Sequence, residues 1–291
     1  MIVVASFLFA TMGVCVKVAS GDYSAGEIVF YRSLVGAIVM AAMTRWQGGT
    51  LATRVPSMHF WRSTSGVIAL CLWFYAIGNL PLATAMTLNY MSSVWMAAFL
   101  IGGAAAIGTA RIDGRMVAIV LIGFLGVGLV LRPTIEERQL WHGLMGLISG
   151  MLAAVAYLNV TALGRVGEPE VRVVFYFSIG GMAAGLATVP WTGLHAHTAR
   201  GLLLLLAVGG LATVAQLLMT RAYTTGGTLV NASLQYLGIV FSFAYGVWLF
   251  DDRLTTSAVL GIVLIVAAGL AATLLRSRSV AHEPARPPAE S

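Results

Sequence analysis

The chain has 291 residues, 59% of them hydrophobic and only 10% charged. A soluble domain carries about a quarter charged residues, so a water-soluble fold is excluded and a polytopic membrane protein is expected. The net charge is +6, but the basic residues, all arginine except Lys17, fall mostly between apolar runs, where they report topology and not nucleic-acid binding.

Apolar runs of membrane-spanning length recur along the whole chain. They predict ten helices, at about 2–20, 26–44, 60–79, 83–106, 116–132, 141–164, 172–190, 201–223, 228–249 and 255–275. The first begins at Met1 with no basic segment before it, and nine more follow, so it reads as a retained helix and not a cleaved signal peptide. The connections are short. Residues 1–133 form one five-helix unit, 134–140 a joining loop and 141–275 a second five-helix unit. The Arg/Pro/Ser-rich segment 276–291 reads as a disordered cytoplasmic tail. Cys15 and Cys71 both lie in apolar runs without a CxxC spacing, which gives them packing roles only.

With ten spans, both termini share one face of the membrane. Eleven basic residues fall on that face, Arg62 among them, and four on the other: Arg132, Arg138, Arg200 and Arg253. The bias places both termini in the cytoplasm. Five spans is an odd number, so the second unit must sit inverted relative to the first. That is the pattern of inverted repeats in secondary transporters.

A short sequence word supports the duplication. Leu88-Asn89-Tyr90-Met91 returns as Leu234-Gln235-Tyr236-Leu237, at an offset of 146 residues, and at that offset Ala76 falls on Ala222. A carboxamide beside a phenol, inside an apolar run, suits a polar solute held near the membrane midplane. It equally suits hydrogen bonding between helices. Tyr75, Asn89, Tyr90, Tyr157, Asn159, Gln216, Asn231, Gln235 and Tyr236 are the polar residues that ask for an explanation. Of these, Asn89, Tyr90, Gln235 and Tyr236 are expected to line a central cavity. Trp95, about a turn and a half beyond Asn89, is expected to face the same way.

Lys17 and Arg32 are the two basic residues placed within spans. They either attract an anionic group of a solute or snorkel to the interface and pair with Glu27 or Asp22. All eleven acids sit in loops, the tail or span ends, with Glu27 the only plausible carboxylate of a transport path. Exchange, or coupling without a buried acid, is therefore expected. Gly146 with Gly150, and Gly181 with Gly185, have the spacing for close helix packing. His195-Ala196-His197 lacks a third ligand, so no metal is expected there. There is no phosphate loop, no Ser/His/Asp set and no HExxH, so neither cofactor nor catalytic group is expected.

Several stretches, taken in order, carry a resemblance. These are Ser6 to Ala10 leading to Lys17, Phe30-Tyr31-Arg32-Ser33, Phe74-Tyr75-Ala76-Ile77, Leu80-Pro81-Leu82-Ala83-Thr84-Ala85, Gly126-Val127-Gly128-Leu129 and Gly261 to Gly269. The chain resembles the EamA-type proteins of the drug/metabolite transporter superfamily. The resemblance implies an all-α integral membrane protein of ten transmembrane helices in two inverted five-helix repeats. It also implies a bacterial inner membrane location and alternating access to a small-molecule substrate. Two features depart from the family pattern. The Pro that usually follows the tetrad is replaced by Ser92 or Ser93 in the first half and Gly238 in the second. The acidic end of the fourth span is missing, though Asp251-Asp252-Arg253 keeps it in the second half.

The function expected is transport of amino acids, amines or related metabolites. The partners expected are that solute and the lipid bilayer, with no nucleic acid, and a homodimer is neither argued nor excluded by any distinctive face. A lipid-modifying membrane enzyme would need a second acidic cluster beside Asp251-Asp252. A non-transporting scaffold would use the intramembrane polar groups for packing alone.

Overall fold

The computed structural model describes residues 1–106, 114–131, 137–226, 231, 234–252 and 255–281. No strand occurs among the described residues. In chain order the helices are α1 (Ile2–Ala19), α2 (Ala25–Trp46), α3 (Pro56–Asn79), α4 (Leu82–Tyr90), α5 (Ser92–Ala106) and α6 (Gly114–Leu131). They continue as α7 (Glu137–Arg165), α8 (Glu170–Thr192), α9 (Ala199–Thr225), α10 (Leu237–Phe250) and α11 (Thr256–Ala281).

Local chemistry sets several helix starts. Ser24 and Glu27 form a reciprocal capping box at α2. Pro56 occupies the first turn of α3, where its missing N–H costs nothing. Pro81 and Pro169 stand just before α4 and α8. Asp251 ends α10 in the left-handed conformation, at φ 49°.

Among the described residues six helices are long and apolar enough to cross a membrane by themselves: α1, α2, α3, α8, α9 and Leu140–Arg165 of α7. The outer faces of the bundle confirm the solvent. Leu203 of α9, Leu125 of α6 and Val240 of α10 are 69%, 66% and 60% exposed. In water such a surface would drive aggregation, whereas in a bilayer it is the ordinary exterior.

The two halves interleave. α1 lies along α9, α2 along α8, α3 along α7 and α6 along α11. α1 also meets α10, and α4 meets both α7 and α10. Each of these pairs joins a helix of the first half to one of the second. Glycines allow the closest of them. Gly181 and Gly185 set α8 against Ser33, Gly26 and Phe30 of α2.

The fourth span, expected as one helix over 83–106, is interrupted at Met91. There the ladder tightens, with Val94 N donating to Met91 O, an i→i+3 bond of the 3₁₀ type. The cause is tertiary. α7 crosses the break through Gly150, where an added Cβ would lie 2.5 Å from Leu88 O and 2.9 Å from Asn89 O. In the ninth span Asn231 and Leu234 are already helical, Gln235 and Tyr236 make tight turns of the same kind, Gly238 N to Gln235 O and Ile239 N to Tyr236 O, and helix resumes at Leu237. Most of its expected start, 228–230 and 232–233, lies outside the described residues. α11 runs to Ala281, beyond the expected start of the tail at 276, and α7 begins at Glu137, inside the expected joining loop.

Candidate functional site

A cavity of about 50 Å³ lies at the centre of the bundle. α3 supplies Arg62, Gly66, Ala69, Leu70 and Trp73, and α4 supplies Asn89 and Tyr90. Ala153, Ala156 and Tyr157 come from α7, Gln216 and Met219 from α9, and Phe9, Arg32 and Phe177 from α1, α2 and α8. This volume holds a few waters and falls well short of the roughly 300 Å³ of a small ligand pocket. A larger hollow between α10 and α11, of about 670 Å³, is lined by aliphatic and aromatic residues such as Leu234, Val240 and Val263. Its walls offer a polar solute almost nothing to bind.

The break after Tyr90 positions the first amide–tyrosine pair. Asn89 is buried and donates from Nδ2 to Ser149 Oγ at 2.6 Å, which ties it to the glycine crossing of α7. Tyr90 points across the bundle towards α10. Its ring occupies the space that a Cβ at Gly238 would need, with Cζ 2.7 Å from that position and the hydroxyl closer. The Tyr90 hydroxyl has no hydrogen-bond partner.

Arg32 and Arg62 bring charge into this cavity. Both are buried, at 4% and 3% exposure. Each guanidinium lies over the Phe177 ring, 5.0 Å and 4.3 Å from its centroid. Arg32 donates to Gln216 Oε1 at 3.3 Å, and Nε of both arginines lacks an acceptor. A cation–π contact returns about 0.5–2 kcal/mol. An uncompensated buried charge costs about 3–5 kcal/mol. The arrangement therefore disfavours the empty fold.

Sequence reasoning named Asn89, Tyr90 and Arg32, and the structure brings these three together. The other named residues stand elsewhere. Gln235 is buried beside α9, accepting from Tyr223 Oη at 3.2 Å, and Tyr236 borders the apolar hollow. Trp95 stacks on Phe99 beyond the break. Tyr75 packs against His142, at 5.2 Å between ring centroids, and faces a small polar recess with Ser20, Ser24 and Asn79. Lys17 pairs with neither Glu27 nor Asp22. It donates to Leu80 O at 2.7 Å and lies 4.0 Å from Asp252 Oδ1, while Asp252 Oδ2 accepts from Leu82 N at 3.0 Å. This clamp joins the ends of α1 and α10 to the α3–α4 turn. Asp252 thus has structural partners in Lys17 and the Leu82 amide.

Arg62, Trp73 and Phe177 were missed. Arg62 falls at the very start of the span expected over 60–79, where an arginine reads as a topology charge. Pro56 is the signal that would have started α3 earlier and drawn Arg62 inside.

Each end of the bundle carries a contact between a glutamate and a histidine. At the end where α2 begins, Glu27 takes bonds from His195, N to Oε1 at 2.8 Å and Nδ1 with Oε2 at 2.6 Å. His195 thus meets a carboxylate, as its lack of further ligands leaves room for. At the opposite end Glu168 accepts from Thr53 Oγ1 and Arg172 Nη1, both at 2.9 Å, and lies 3.3 Å from His59 Nε2. Burial alone would raise the Glu168 pKa, but the bonds from Thr53 and Arg172, the Arg172 charge and the nearby His59 outweigh it and hold the carboxyl below its ordinary value of 4.5.

The profile of the EamA-like transporter family matches residues 1–132. The pseudopaline exporter of Pseudomonas aeruginosa is 33% identical over 272 residues, covering 91% of this chain and 92% of the relative. A Helicobacter pylori protein described as an uncharacterized transporter is 26% identical over 286 residues, covering 93% and 92%. The S-adenosylmethionine uptake transporter of Rickettsia bellii is 21% identical over 253 residues, covering 84% and 82%. A protein of known crystal structure superposes with a TM-score of 0.69 at 18% identity, over 94% of this chain and 96% of its own. That likeness speaks to the fold alone.

Proposed function

This chain belongs to the EamA-like transporter family, and from that premise we propose that it is a secondary transporter moving small organic metabolites, such as amino acids, amines or related compounds, by alternating access. The observation that carries the proposal is the central cavity. It sets two arginines, two amides and two tyrosines into an otherwise apolar wall, is built from seven helices of both halves, and at about 50 Å³ is too small for such a solute. A solute enters only if helices part, and the glutamate–histidine contacts at the two ends are the natural places to part them. Relatives are named both for export and for uptake, so kinship leaves direction open.

The architecture proposed for this cycle is ten transmembrane helices in two inverted five-helix repeats, in a bacterial inner membrane with both termini in the cytoplasm. Reciprocal pairing supports the repeat. The first helix of each half lies on the third of the other, and the second helices lie on each other. The amide–tyrosine words fall at interruptions in both halves, and broken helices at the midplane are where transporters of this kind place their sites. The arginine bias supports the orientation.

Flux in proteoliposomes tests the proposal. Counterflow of labelled metabolites should be carried by the wild type and fall at least tenfold in Tyr90→Phe and Asn89→Ala. Absence of counterflow across a panel of amino acids, organic acids and amines would overturn it.

A further inference from the structure

The cavity holds two cations and no anion. Among the described residues, the ion pairs run Lys17–Asp252, His59–Glu168, Arg172–Glu168 and His195–Glu27, and none includes Arg32 or Arg62. Both guanidinium groups converge on one ring, Phe177, so like charges face the same small space with nothing to neutralise them. Gly66 helps to make that space, since a Cβ there would overlap Arg62 Nη1. Two further lining groups that can donate, Trp73 Nε1 and the Tyr90 hydroxyl, also lack a partner. The unmet hydrogen-bonding capacity of this wall is therefore chiefly donor capacity, and it is positively charged.

We infer that the solute is a small organic anion with two negatively charged oxyanion groups, bound between Arg32 and Arg62. This rests on the transporter reading of the cavity and narrows it. A guanidinium fork matches the paired oxygens of a carboxylate or phosphate. Two such forks meet two such groups, and Trp73 and Tyr90 supply donors to the remaining lone pairs. An amine without acidic groups would add a third cation to the same space. The inference thus excludes simple polyamines from the class of solutes and favours dicarboxylates and related acids.

The test is thermal unfolding of the purified full-length protein with succinate, citrate, glycerol phosphate, leucine and putrescine. At about 100 times its dissociation constant a bound anion should raise Tm by about 5 °C, while leucine and putrescine leave it unchanged. A shift from succinate or citrate alone assigns carboxylates, and one from glycerol phosphate alone assigns a phosphate ester. Arg62→Gln and Arg32→Gln should each abolish the shift. Without ligand each should melt at or above the wild type, because removing one charge relieves the repulsion. Arg62→Lys keeps a charge in place and should retain a reduced shift, which separates loss of binding from loss of fold. The inference falls if no anion shifts Tm, if the shift survives both glutamine variants, or if putrescine gives the larger shift. The two readings fail separately. Leucine or putrescine counterflow unchanged in the arginine variants leaves a transporter without an anion site. Arginine-dependent succinate binding without any counterflow leaves an anion site without a transporter.

Discussion

The two amide–tyrosine words are almost the same in sequence and differ in what they do. Asn89 and Tyr90 line the cavity, whereas Gln235 and Tyr236 do not. The difference arises one residue further on. In the first half the word is followed by Ser92, and in the second by Gly238, the residue that leaves room for the Tyr90 ring. One word presents its tyrosine and the other makes space for it. A sequence word repeated in two halves of a chain therefore need not give two equivalent half-sites. The halves share a helix interruption, and the side chains packed around it divide the labour.

The comparison breaks most severely at the glycine that holds the first interruption against α7. In Gly150→Val the new side chain meets the Leu88 and Asn89 carbonyls, which are backbone and cannot rotate away. Overpacking of this kind costs about 1–3 kcal/mol or more. The expected outcome is a large fall in folded yield and Tm. Gly238→Ala, by contrast, meets a side chain that can swing, so the protein should fold and lose transport through a displaced Tyr90. If Gly238→Ala transports normally, Tyr90 has no need of the space and the division of labour is wrong.

A sharper and smaller test exchanges the amides. Asn89→Ala removes a cavity group and its bond to Ser149, and should lower counterflow at least tenfold at a stability cost of about 1 kcal/mol. Gln235→Ala leaves the Tyr223 hydroxyl without its acceptor in a buried site. It should cost about 1–3 kcal/mol with the rate per folded molecule unchanged. Equal losses of flux in the two variants would mean that the halves act alike after all.

Much of this arrangement was legible in the sequence, for identifiable reasons. Apolar run length marks spans, because lipid demands it. The word repeated at 146 residues falls on the tight turns at Met91 and at Gln235–Tyr236. The interruption at Met91 itself left no local trace. The stretch from Leu82 to Phe99 contains no glycine or proline, and what packs on the interruption is Gly150, far away in the chain. Arg62 was hidden because an arginine near a span end is usually a topology charge. Only the fold brings it to Arg32 across a helix pair. Phe177 is one of 12 phenylalanines, and nothing in its neighbours distinguishes it from a packing residue. Side chains that act by convergence from different helices are the part that pattern reading cannot reach.

The smallest expected effect concerns the end contacts, where the two halves again use one pair of residue types differently. Glu27 caps its own helix and takes His195 as well, whereas Glu168 stands outside a helix and gathers Thr53, His59 and Arg172. Because the Glu168 carboxyl titrates below its ordinary 4.5 in the folded protein, the unfolded chain takes up its proton first as pH falls. The contribution of Glu168 to stability is thus full above pH 4.5. It declines below that value and is gone once pH has passed through the lowered native pKa. Its contacts are partly solvated at their rim, which limits the effect to about 1 kcal/mol. Glu168→Gln should lower Tm slightly at neutral pH and flatten the acid limb of a Tm–pH profile. If transport requires this end to open, the same substitution should raise the counterflow rate modestly at neutral pH. An acid limb as steep in Glu168→Gln as in the wild type would assign it to other carboxylates, and the glutamate–histidine contact at this end would then be no latch.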